Sequence, residues 1–511
     1  MSKRWFRALL RSRFYVALLL VLQVLFIVYL MHSGSQLSAN INNLMILISL
    51  VVSVYIISKK DKGAYKLTWV FMILLFPVFG GLFYLLFNFQ SLTPKKRKAL
   101  SKTNRKANKV LQLSESDYKN AIASVPEYAP QIDYLKNFAN FPVYADTETK
   151  YLTPGEMKFE YLLAELEKAE KYIFLEYFIV QEGKMWNTIL EVLKRKAKDG
   201  VLVRLIYDDM GCFFLLPKNY PKQLKEYGIE CVVFNKFRPF LSTVQNNRDH
   251  RKIAVIDGKV AFTGGINLAD EYINAYEKHG HWKDASIMLK GKAVWSFTLM
   301  FLQMWELCTG ADEDFAKYFP TDRKTNDSDA AGFVQPYSDT PIDTENVGEH
   351  VYLQIINSAK KYVYINTPYL IIDDSMISAL CLAAKSGIDI RIVTPHKWDK
   401  WWVHMTTRSY YRELIKSGVK IYEYTKGFIH SKTFVSDDRV ATVGTTNLDF
   451  RSLYLHFECG VRMYDTTAVS EIKEDFLKNL ENCHKIELED CKANIPLRIF
   501  QDIMRIFAPL M

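Results

Sequence analysis

Two stretches of this chain, His250-Arg-Lys-Ile-Ala-Val-Ile-Asp257 and His430-Ser-Lys-Thr-Phe-Val-Ser-Asp437, share one polar pattern. Each continues into a glycine and, three residues after it, an asparagine, which is Asn267 in the first copy and Asn447 in the second. Both copies therefore read H-x-K-x4-D-x6-G-x-x-N. A single motif of this kind arises often by chance, but two copies in register indicate a duplicated unit.

The sequence around the motifs repeats in the same order. An apolar strand pattern occurs at 171–178 and again at 361–369. The end of a helix at glycine, followed by a β-branched strand, occurs at 197–206 and again at 384–393. Strands that alternate with helices predict a helix-covered sheet that is mixed or parallel. We therefore predict an α/β fold with two units, at 131–320 and 332–490. The first copy carries an additional loop near 236–247.

The spacing within each motif predicts a shared site. Residues two apart on a strand project from the same face, so each histidine should point the same way as its lysine. The aspartates have the opposite parity and stand where the strand turns, so we expect a structural role for them. The motif residues that we assign to the catalytic set are His250, Lys252, Asp257, His430, Lys432 and Asp437.

These residue types suit exchange of a phosphodiester. A neutral imidazole can attack phosphorus and form a covalent intermediate, while a second histidine protonates the leaving alkoxide and then deprotonates the incoming alcohol. The two lysines, together with Asn267 and Asn447 as phosphate-binding residues, would stabilise charge on the phosphate oxygens. Because no cluster of carboxylates accompanies the motifs, we expect neither a metal nor a cofactor.

The first 93 residues read as a membrane module. Two uncharged apolar runs, 14–31 and 41–57, are long enough to span a bilayer. Basic residues precede the first run and follow the second, whereas the intervening loop, 32–40, has no lysine or arginine, so the N-terminus should be cytoplasmic. A third run, 67–89, is interrupted by proline and glycine and is followed by basic residues. We therefore favour a re-entrant hairpin for it, with a third span as the alternative.

Charge and cysteine usage fit a protein that works at the cytoplasmic face of a membrane. The net charge of +10 suits an anionic partner, and residues 94–130 read as a basic linker that can lie on anionic headgroups. The seven cysteines are scattered and form no paired metal spacing, so we expect reduced thiols. Residues 496–511 predict an amphipathic helix, either at the membrane interface or docked on the second unit.

The two motifs resemble the signature of the phospholipase D superfamily, whose two units pack around a pseudo-twofold axis. Residues 264–272, 281–284 and 447–458 are similar to the bacterial cardiolipin synthase form of that superfamily, and residues 69–87 are similar to its N-terminal module. The resemblance covers nearly the whole chain. It implies a cell-membrane enzyme that joins two phosphatidylglycerols into cardiolipin and glycerol through a phosphohistidine, with no nucleic acid as partner.

The resemblance also implies roles for single residues. His250 would be the nucleophile and His430 the acid and base, an assignment that could be reversed, and Asp284 and Glu458 would orient the histidines. His456 departs from the family, which usually has asparagine before Phe-Glu, and we assign it no catalytic role. Hydrolysis by a phospholipase D and transfer to serine by a phosphatidylserine synthase use the same residues, so both remain alternatives. A nuclease fits the charge but does not need the apolar runs.

Overall fold

The computed structural model describes Leu25, Tyr29 and residues 36–76, 80–81, 84–85, 94–111, 114–237, 246–320, 330–343 and 345–510. Contacts divide the chain into two units. The helical unit comprises residues 1–94, 237–247 and 502–511, and the sheet unit comprises residues 95–236 and 248–501. Both histidine motifs therefore belong to the sheet unit. Apart from Leu25 and Tyr29, the predicted first membrane span, 14–31, lies outside the described residues. Most of the predicted additional loop, 236–247, lies outside them as well.

The strands of the sheet unit are named in chain order. They are β1 (Thr147–Leu152), β2 (Tyr172–Tyr177), β3 (Leu202–Asp208), β4 (Glu230–Phe234), β5 (Lys252–Ile256), β6 (Val260–Gly264), β7 (His281–Lys283), β8 (Ser286–Gly291), β9 (Phe333–Asp339), β10 (Tyr362–Asn366), β11 (Leu370–Ile371), β12 (Asp389–Pro395), β13 (Lys420–Tyr424), β14 (Gly427–Ile429), β15 (Thr433–Ser436), β16 (Val440–Gly444), β17 (Leu448–Asp449), β18 (Glu458–Tyr464) and β19 (Cys483–Ile486).

Two large sheets repeat one strand order. The first runs β1-β8-β6-β5-β2-β3-β4, and the second runs β9-β18-β16-β15-β10-β12-β13 and ends in an additional strand, β19. In each sheet the three strands β2-β3-β4 or β10-β12-β13 are parallel, and the remaining pairs are antiparallel. The predicted α/β fold of two duplicated units, each with a mixed sheet, is confirmed.

The helices are likewise numbered in chain order. They are α1 (Gln36–Ser58), α2 (Gly63–Leu75), α3 (Pro94–Val110), α4 (Glu115–Ser124), α5 (Ala129–Asp133), α6 (Gly155–Leu166), α7 (Lys184–Lys198), α8 (Asp209–Cys212), α9 (Tyr220–Glu226), α10 (Val294–Thr309), α11 (Val347–Ser358), α12 (Asp374–Lys385), α13 (Trp401–Lys416), α14 (Phe450–Tyr454), α15 (Thr467–Leu480) and α16 (Ile495–Phe507).

Helices cover both faces of the first sheet, which is why its strands are apolar on both sides. Leu175 of β2 belongs to a buried cluster with Leu162 of α6 and Ile189 of α7. The next residue toward the N-terminus, Phe174, points to the other face and stacks on Phe301 of α10, with ring centroids 4.5 Å apart. Alternation along a strand thus places neighbouring side chains in two separate apolar layers, which fixes the register of the strand.

The segment predicted as a basic linker, 94–130, is mostly helical. Within the sheet unit, Lys106 of α3 donates to Glu306 at 2.8 Å and to Asp312 at 3.0 Å, and Leu100 and Ala107 are buried. The sequence shows the positive charge of this segment but not its acidic partners, which lie about 200 residues away along the chain. An acidic surface of the same chain, rather than solvent alone, therefore faces part of this basic helix.

The helical unit contains one helix, among the residues that the structure describes, that is long and apolar enough to cross a membrane. This stretch, Ala39–Ser58, lies in α1 and contains the predicted second span, 41–57. After α2 the chain turns back: Gly80 lies against Ile73 of α2, and the Tyr84 ring lies 5.1 Å from Trp69. At 13 residues, α2 is too short to span a bilayer on its own.

The C-terminal helix α16 is amphipathic, and its apolar residues fall into two groups. In the sheet unit, Phe500 packs on Trp401 of α13, with ring centroids 5.0 Å apart. In contrast, Ile495 and Ile499 keep 76% and 54% of their surface exposed. Within the sheet unit, the first part of α16 therefore contacts α13 through Phe500, while Ile495 and Ile499 form an exposed apolar stripe.

Candidate active site

The two motifs meet through reciprocal backbone pairing. The amide of His250 donates to the carbonyl of Phe457 at 3.0 Å, and the amide of His430 donates to the carbonyl of Lys283 at 2.7 Å. In each case the acceptor immediately precedes the acidic residue, Glu458 or Asp284, of the other half. This exchange follows the pseudo-twofold relation of the two sheets, so each half supplies the histidine of one pair and the acid of the other.

The side chains repeat the same exchange. His250 Nδ1 lies 2.8 Å from Oε1 of Glu458, and His430 Nδ1 lies 2.7 Å from Oδ2 of Asp284. Both carboxylates are fully buried. A carboxylate acceptor holds the proton on Nδ1 and leaves the other ring nitrogen, Nε2, with its lone pair. The geometry therefore suits one imidazole as a nucleophile and the other as a proton carrier.

Each motif lysine folds back onto its own histidine. Lys252 Nζ donates to the carbonyl of His250 at 2.6 Å, and Lys432 Nζ donates to the carbonyl of His430. Lys432 Nζ also lies 2.9 Å from Nδ1 of His430, but an Nδ1 that donates its hydrogen to Asp284 has no lone pair left to accept a hydrogen bond from the ammonium. The structure thus places each lysine next to its own histidine, with the histidines just before the strands β5 and β15.

Burial controls the protonation of these groups. Desolvation, reinforced by the positive charge of Lys432, lowers the pKa of His430 to about 4, and the same two causes together with Lys252 hold the pKa of His250 well below its usual range. Desolvation also lowers the pKa of Lys252 to about 8 and that of Lys432 to about 7. Without a bound anion, the site therefore holds neutral imidazoles and weakened ammonium groups.

The motif aspartates point away from this cluster and bind backbone. The Asp257 carboxylate accepts from the amides of Glu170, Lys171 and Tyr172, each at 2.8 Å. Asp437 accepts from the three equivalent amides, 360–362, at 2.7 to 3.0 Å. Both aspartates have positive φ at the end of the motif strand. These contacts support a structural role for both aspartates, because they join the motif turn to the start of β2 or β10.

The two asparagines are held differently. Asn267 accepts from the amide of Ile179 at 3.0 Å and donates to the Tyr272 hydroxyl at 2.7 Å, so most of its amide is already used. Asn447 donates to Asp449 at 3.2 Å, and its buried Oδ1 has no hydrogen-bond partner. The pseudo-symmetry of the motifs therefore does not extend to the hydrogen bonds of the predicted phosphate-binding residues.

Residues that the sequence analysis did not assign complete the surroundings of the two histidines. Phe178 packs edge-on to His250, with ring centroids 5.1 Å apart, and Trp282 lies 5.1 Å from His430. The Thr445 hydroxyl donates to Oε2 of Glu458. The equivalent position of the first copy is Gly265. A Cβ at this position would lie 2.0 Å from Asp284 Oδ1, so there is no room for a side chain. The glycine-to-threonine difference within the repeated motif was the available signal for this asymmetry.

A third histidine, His456, adjoins the first pair. Its ring centroid lies 5.4 Å from that of His250, and its Nδ1 lies 3.6 Å from Oε1 of Glu458. Desolvation lowers the pKa of His456 to about 4, so its imidazole is neutral. Among the described residues, one group of side chains could hold a metal ion, namely His250, His456 and Glu458. The nitrogen and oxygen atoms that these residues offer lie within 4.8 Å of one another.

Comparisons with known proteins agree with this arrangement. The family described as "Cardiolipin synthase, PLD-like domain" matches residues 162–294 and 352–480, and "Phospholipase D-nuclease N-terminal" matches residues 46–87. A cardiolipin synthase of Geobacillus sp. (strain WCH70) is 35% identical over 92% of this chain and 93% of its own length. Cardiolipin synthase 2 of Bacillus cereus is 38% identical over 87% of this chain and 86% of its own.

Two further matches are a bacterial relative that spans nearly the whole chain and a solved structure. An uncharacterized protein of Streptococcus mutans is 44% identical over 89% of this chain and 99% of its own length. The crystal structure of phosphatidylserine synthase from Haemophilus influenzae superposes with a TM-score of 0.56, at 15% identity, and covers 73% of this chain and 96% of that one. That likeness shows the fold alone. The family matches to both sheets, and the relatives that span nearly the whole chain, show that this chain belongs to the cardiolipin synthase family of the phospholipase D superfamily.

Proposed function

We propose that this protein is a phosphatidyltransferase that makes cardiolipin. It would transfer the phosphatidyl group of one phosphatidylglycerol to the terminal hydroxyl of a second and release glycerol. The observation that carries the proposal is the reciprocal pairing of His250 with Glu458 and of His430 with Asp284 at the junction of the two halves. Membership of the family indicates the lipid substrate and the type of transfer.

In the first step, Nε2 of His250 attacks phosphorus, and the bond from phosphorus to the glycerol oxygen breaks. His430 gives its proton to that oxygen, so that glycerol leaves as the neutral alcohol. Because the pKa of His430 is about 4 in the free protein, it is mostly neutral near pH 7. We infer that the anionic phosphodiester and this proton bind together, since the negative charge of the phosphate favours the protonated imidazole.

In the second step, His430 accepts the proton of the incoming hydroxyl, whose oxygen attacks phosphorus as the bond to Nε2 of His250 breaks. The two steps are chemical mirror images, and the proton that His430 lost in the first step returns to it in the second. Lys252 and Lys432 would turn from the histidine carbonyls toward the phosphate oxygens, and the phosphate charge would raise their pKa again.

We propose that Asn447 makes the more direct phosphate contact of the two asparagines. Its Oδ1 lacks a hydrogen-bond partner, and its amide nitrogen has a single long bond, so its amide can reorient at little cost. Asn267 is held at both ends and would contribute its remaining N–H in place.

The assignment of the nucleophile can be tested by trapping the intermediate. Protein that is mixed with labelled phosphatidylglycerol and quenched in alkali, where an N–P bond persists, should carry label on the peptide that contains His250. His250→Asn should abolish both label and turnover. Label on the peptide that contains His430 would reverse the two roles, and label on neither would contradict a phosphohistidine mechanism.

The acceptor is tested by product analysis with phosphatidylglycerol as the only lipid. Cardiolipin and glycerol in equal amounts are the expected products. Phosphatidic acid with glycerol would mean that water is the acceptor and that the protein is a phospholipase D. Formation of phosphatidylserine, when serine is added, in preference to cardiolipin would favour the phosphatidylserine synthase alternative.

We propose that the protein is multi-pass in the cell membrane, with the sheet unit on the cytoplasmic side. The return of the chain from Gly80 to Tyr84 along α2 supports a re-entrant hairpin, because it brings Tyr84 back to Lys59, whose Nζ lies 5.5 Å from the Tyr84 ring centroid. Accessibility labelling of single cysteines at positions 62 and 105 should react from the same face. Reaction from opposite faces would mean that 67–89 crosses the bilayer.

A surface near the second histidine supports contact with an anionic bilayer. Trp398, Trp401 and Trp402 are about half exposed, and tryptophan favours the membrane interface. The exposed stripe of α16 begins beside them, where Phe500 meets Trp401. A spin label at position 402 should be shielded from aqueous relaxation agents by phosphatidylglycerol vesicles, and an unshielded label would contradict this contact.

The same surface is connected to the candidate site through packed side chains. Asp399, beside the tryptophans, accepts from the Tyr369 hydroxyl at 2.6 Å. The Tyr369 ring lies 6.4 Å from Phe428, which lies 6.0 Å from His430. A lipid headgroup at this interface would therefore be a few side chains from the proton carrier.

A further inference from the structure

His456 is a buried polar residue that the proposed mechanism does not use. Its side chain is 9% exposed, and neither ring nitrogen comes within hydrogen-bonding distance of another group, since the approach of Nδ1 to Oε1 of Glu458 stops at 3.6 Å. Buried polar atoms are nearly always satisfied, so an unsatisfied imidazole inside a charged site needs an explanation. An imidazole nitrogen that faces a carboxylate and a second imidazole belongs to a set of donor atoms that transition metals bind.

The three groups converge on one point. Nδ1 of His250 lies 2.8 Å, and Nδ1 of His456 lies 3.6 Å, from the same oxygen, Oε1 of Glu458. In a tetrahedral zinc site with bonds of about 2.0–2.1 Å, neighbouring ligand atoms are about 3.3 Å apart. The two separations from this oxygen bracket that value, and the ligand atoms of the three residues all lie within 4.8 Å of one another, so side-chain rotations can bring them to bonding distance of one ion.

We propose that His250, His456 and Glu458 form a binding site for a divalent transition metal, best matched by Zn²⁺, and that occupancy of this site blocks catalysis. Two imidazole nitrogens and one carboxylate oxygen are a ligand set that zinc prefers, with a fourth position left for water. The Thr445 hydroxyl, which donates to the other oxygen of Glu458, would orient the carboxylate from outside the site.

Inhibition follows from what the metal must displace. To bind, the ion replaces the proton on Nδ1 of His250, which is released, and takes the oxygen of Glu458 that accepted that proton. His250 then loses its orienting hydrogen bond and shares its charge with a cation. The inhibitory part of the proposal rests on the proposed role of His250 as nucleophile, whereas the binding part does not.

Binding is measured on the full-length protein in detergent, without an affinity tag and freed of metal, by titration with Co²⁺ and recording of its visible absorption. We expect one Co²⁺ per chain with the intense bands of a four-coordinate ion, displaced by Zn²⁺. His456→Asn should weaken binding at least about tenfold. The matched control is His404→Asn, because His404 is another histidine that is 9% exposed but lies on α13, and it should leave the affinity unchanged. Equal affinity in wild type and His456→Asn would overturn the proposal.

Activity separates this proposal from the proposed function. Zn²⁺ should inhibit the wild-type protein reversibly, with recovery after addition of a chelator, and inhibition of His456→Asn should need at least about tenfold more Zn²⁺. Metal binding that depends on His456 but leaves turnover intact would overturn the inhibitory part. If the protein transferred no lipid at all, the proposed function would fail, while the Co²⁺ titration would still decide the metal site.

Discussion

Replacement of Glu458 by glutamine is the most informative test of the proposed chemistry. Glu458 is fully buried, contacts Nδ1 of His250 at 2.8 and 3.1 Å through its two oxygens, and accepts from Thr445. Glutamine has the same shape, and its amide oxygen can still accept from Nδ1 while its amide nitrogen donates to the threonine hydroxyl. Glu458→Gln therefore removes the negative charge and leaves the geometry largely intact.

The charge matters most when the imidazole itself is positive. In the proposed intermediate, Nε2 is bonded to phosphorus while Nδ1 keeps its hydrogen, so the ring is cationic. A hydrogen bond to a charged group contributes about 1.5–3 kcal/mol, against about 0.5–1.5 kcal/mol between neutral groups. The loss of about 1–2 kcal/mol from the transition state corresponds to a kcat that is roughly 5- to 30-fold lower. KM should change little, because the carboxylate does not touch the substrate.

The assay is the initial rate of cardiolipin formation from phosphatidylglycerol in mixed micelles, with folding checked by circular dichroism. Glu423→Gln is the matched control, because Glu423 is also fully buried and holds a histidine, His396, through an Nδ1 contact of 2.9 Å outside the site. It should retain nearly full kcat. A kcat for Glu458→Gln within twofold of wild type, or an equal loss in both variants, would refute the orienting role of Glu458.

Three further predictions concern the rest of the motif. Gly265→Ala should lower kcat at least about tenfold in the same assay, because the new Cβ would lie 2.0 Å from Asp284 Oδ1 and displace the carboxylate from His430. A near-normal kcat would show that catalysis tolerates displacement of Asp284 from His430. Asp257→Asn should destabilise the fold by about 1–3 kcal/mol in chemical denaturation, since three backbone amides lose part of a charged acceptor; an unchanged midpoint would contradict the structural role. The pKa of Lys432 is about 7 in the free protein, so its protonated form is lost as pH rises through that value. We therefore expect kcat/KM to fall above about pH 7, whereas kcat, which reports the phosphate-bound form, should stay constant to higher pH. If kcat/KM and kcat declined over the same alkaline pH range, a phosphate contact by Lys432 would be contradicted.

Local sequence was sufficient to predict the repeat and to indicate the motif residues of the candidate site. The motif pairs, such as His250 with Lys252, lie within a few residues of one another, and strand periodicity alone indicates that they share a direction. The apolar run at 41–57 is likewise long enough to be predicted as a membrane-spanning helix from local sequence alone. In contrast, the basic segment that follows the membrane module looks like a solvated linker, because its partners Glu306 and Asp312 are remote in sequence and carry no pattern that points back to it.

The sequence by itself therefore determined that the chain contains two copies of one α/β unit. It also determined that each copy carries a histidine and a lysine at the start of an equivalent strand. Only the tertiary structure decided which acid serves which histidine. Glu458 and Asp284 are separated from their histidines by 208 and 146 residues, and the pairing depends on the packing of one half against the other. The position of His456 beside that pair was decided in the same way, since periodicity acts within an element, whereas contacts between distant elements follow from how their buried faces fit together.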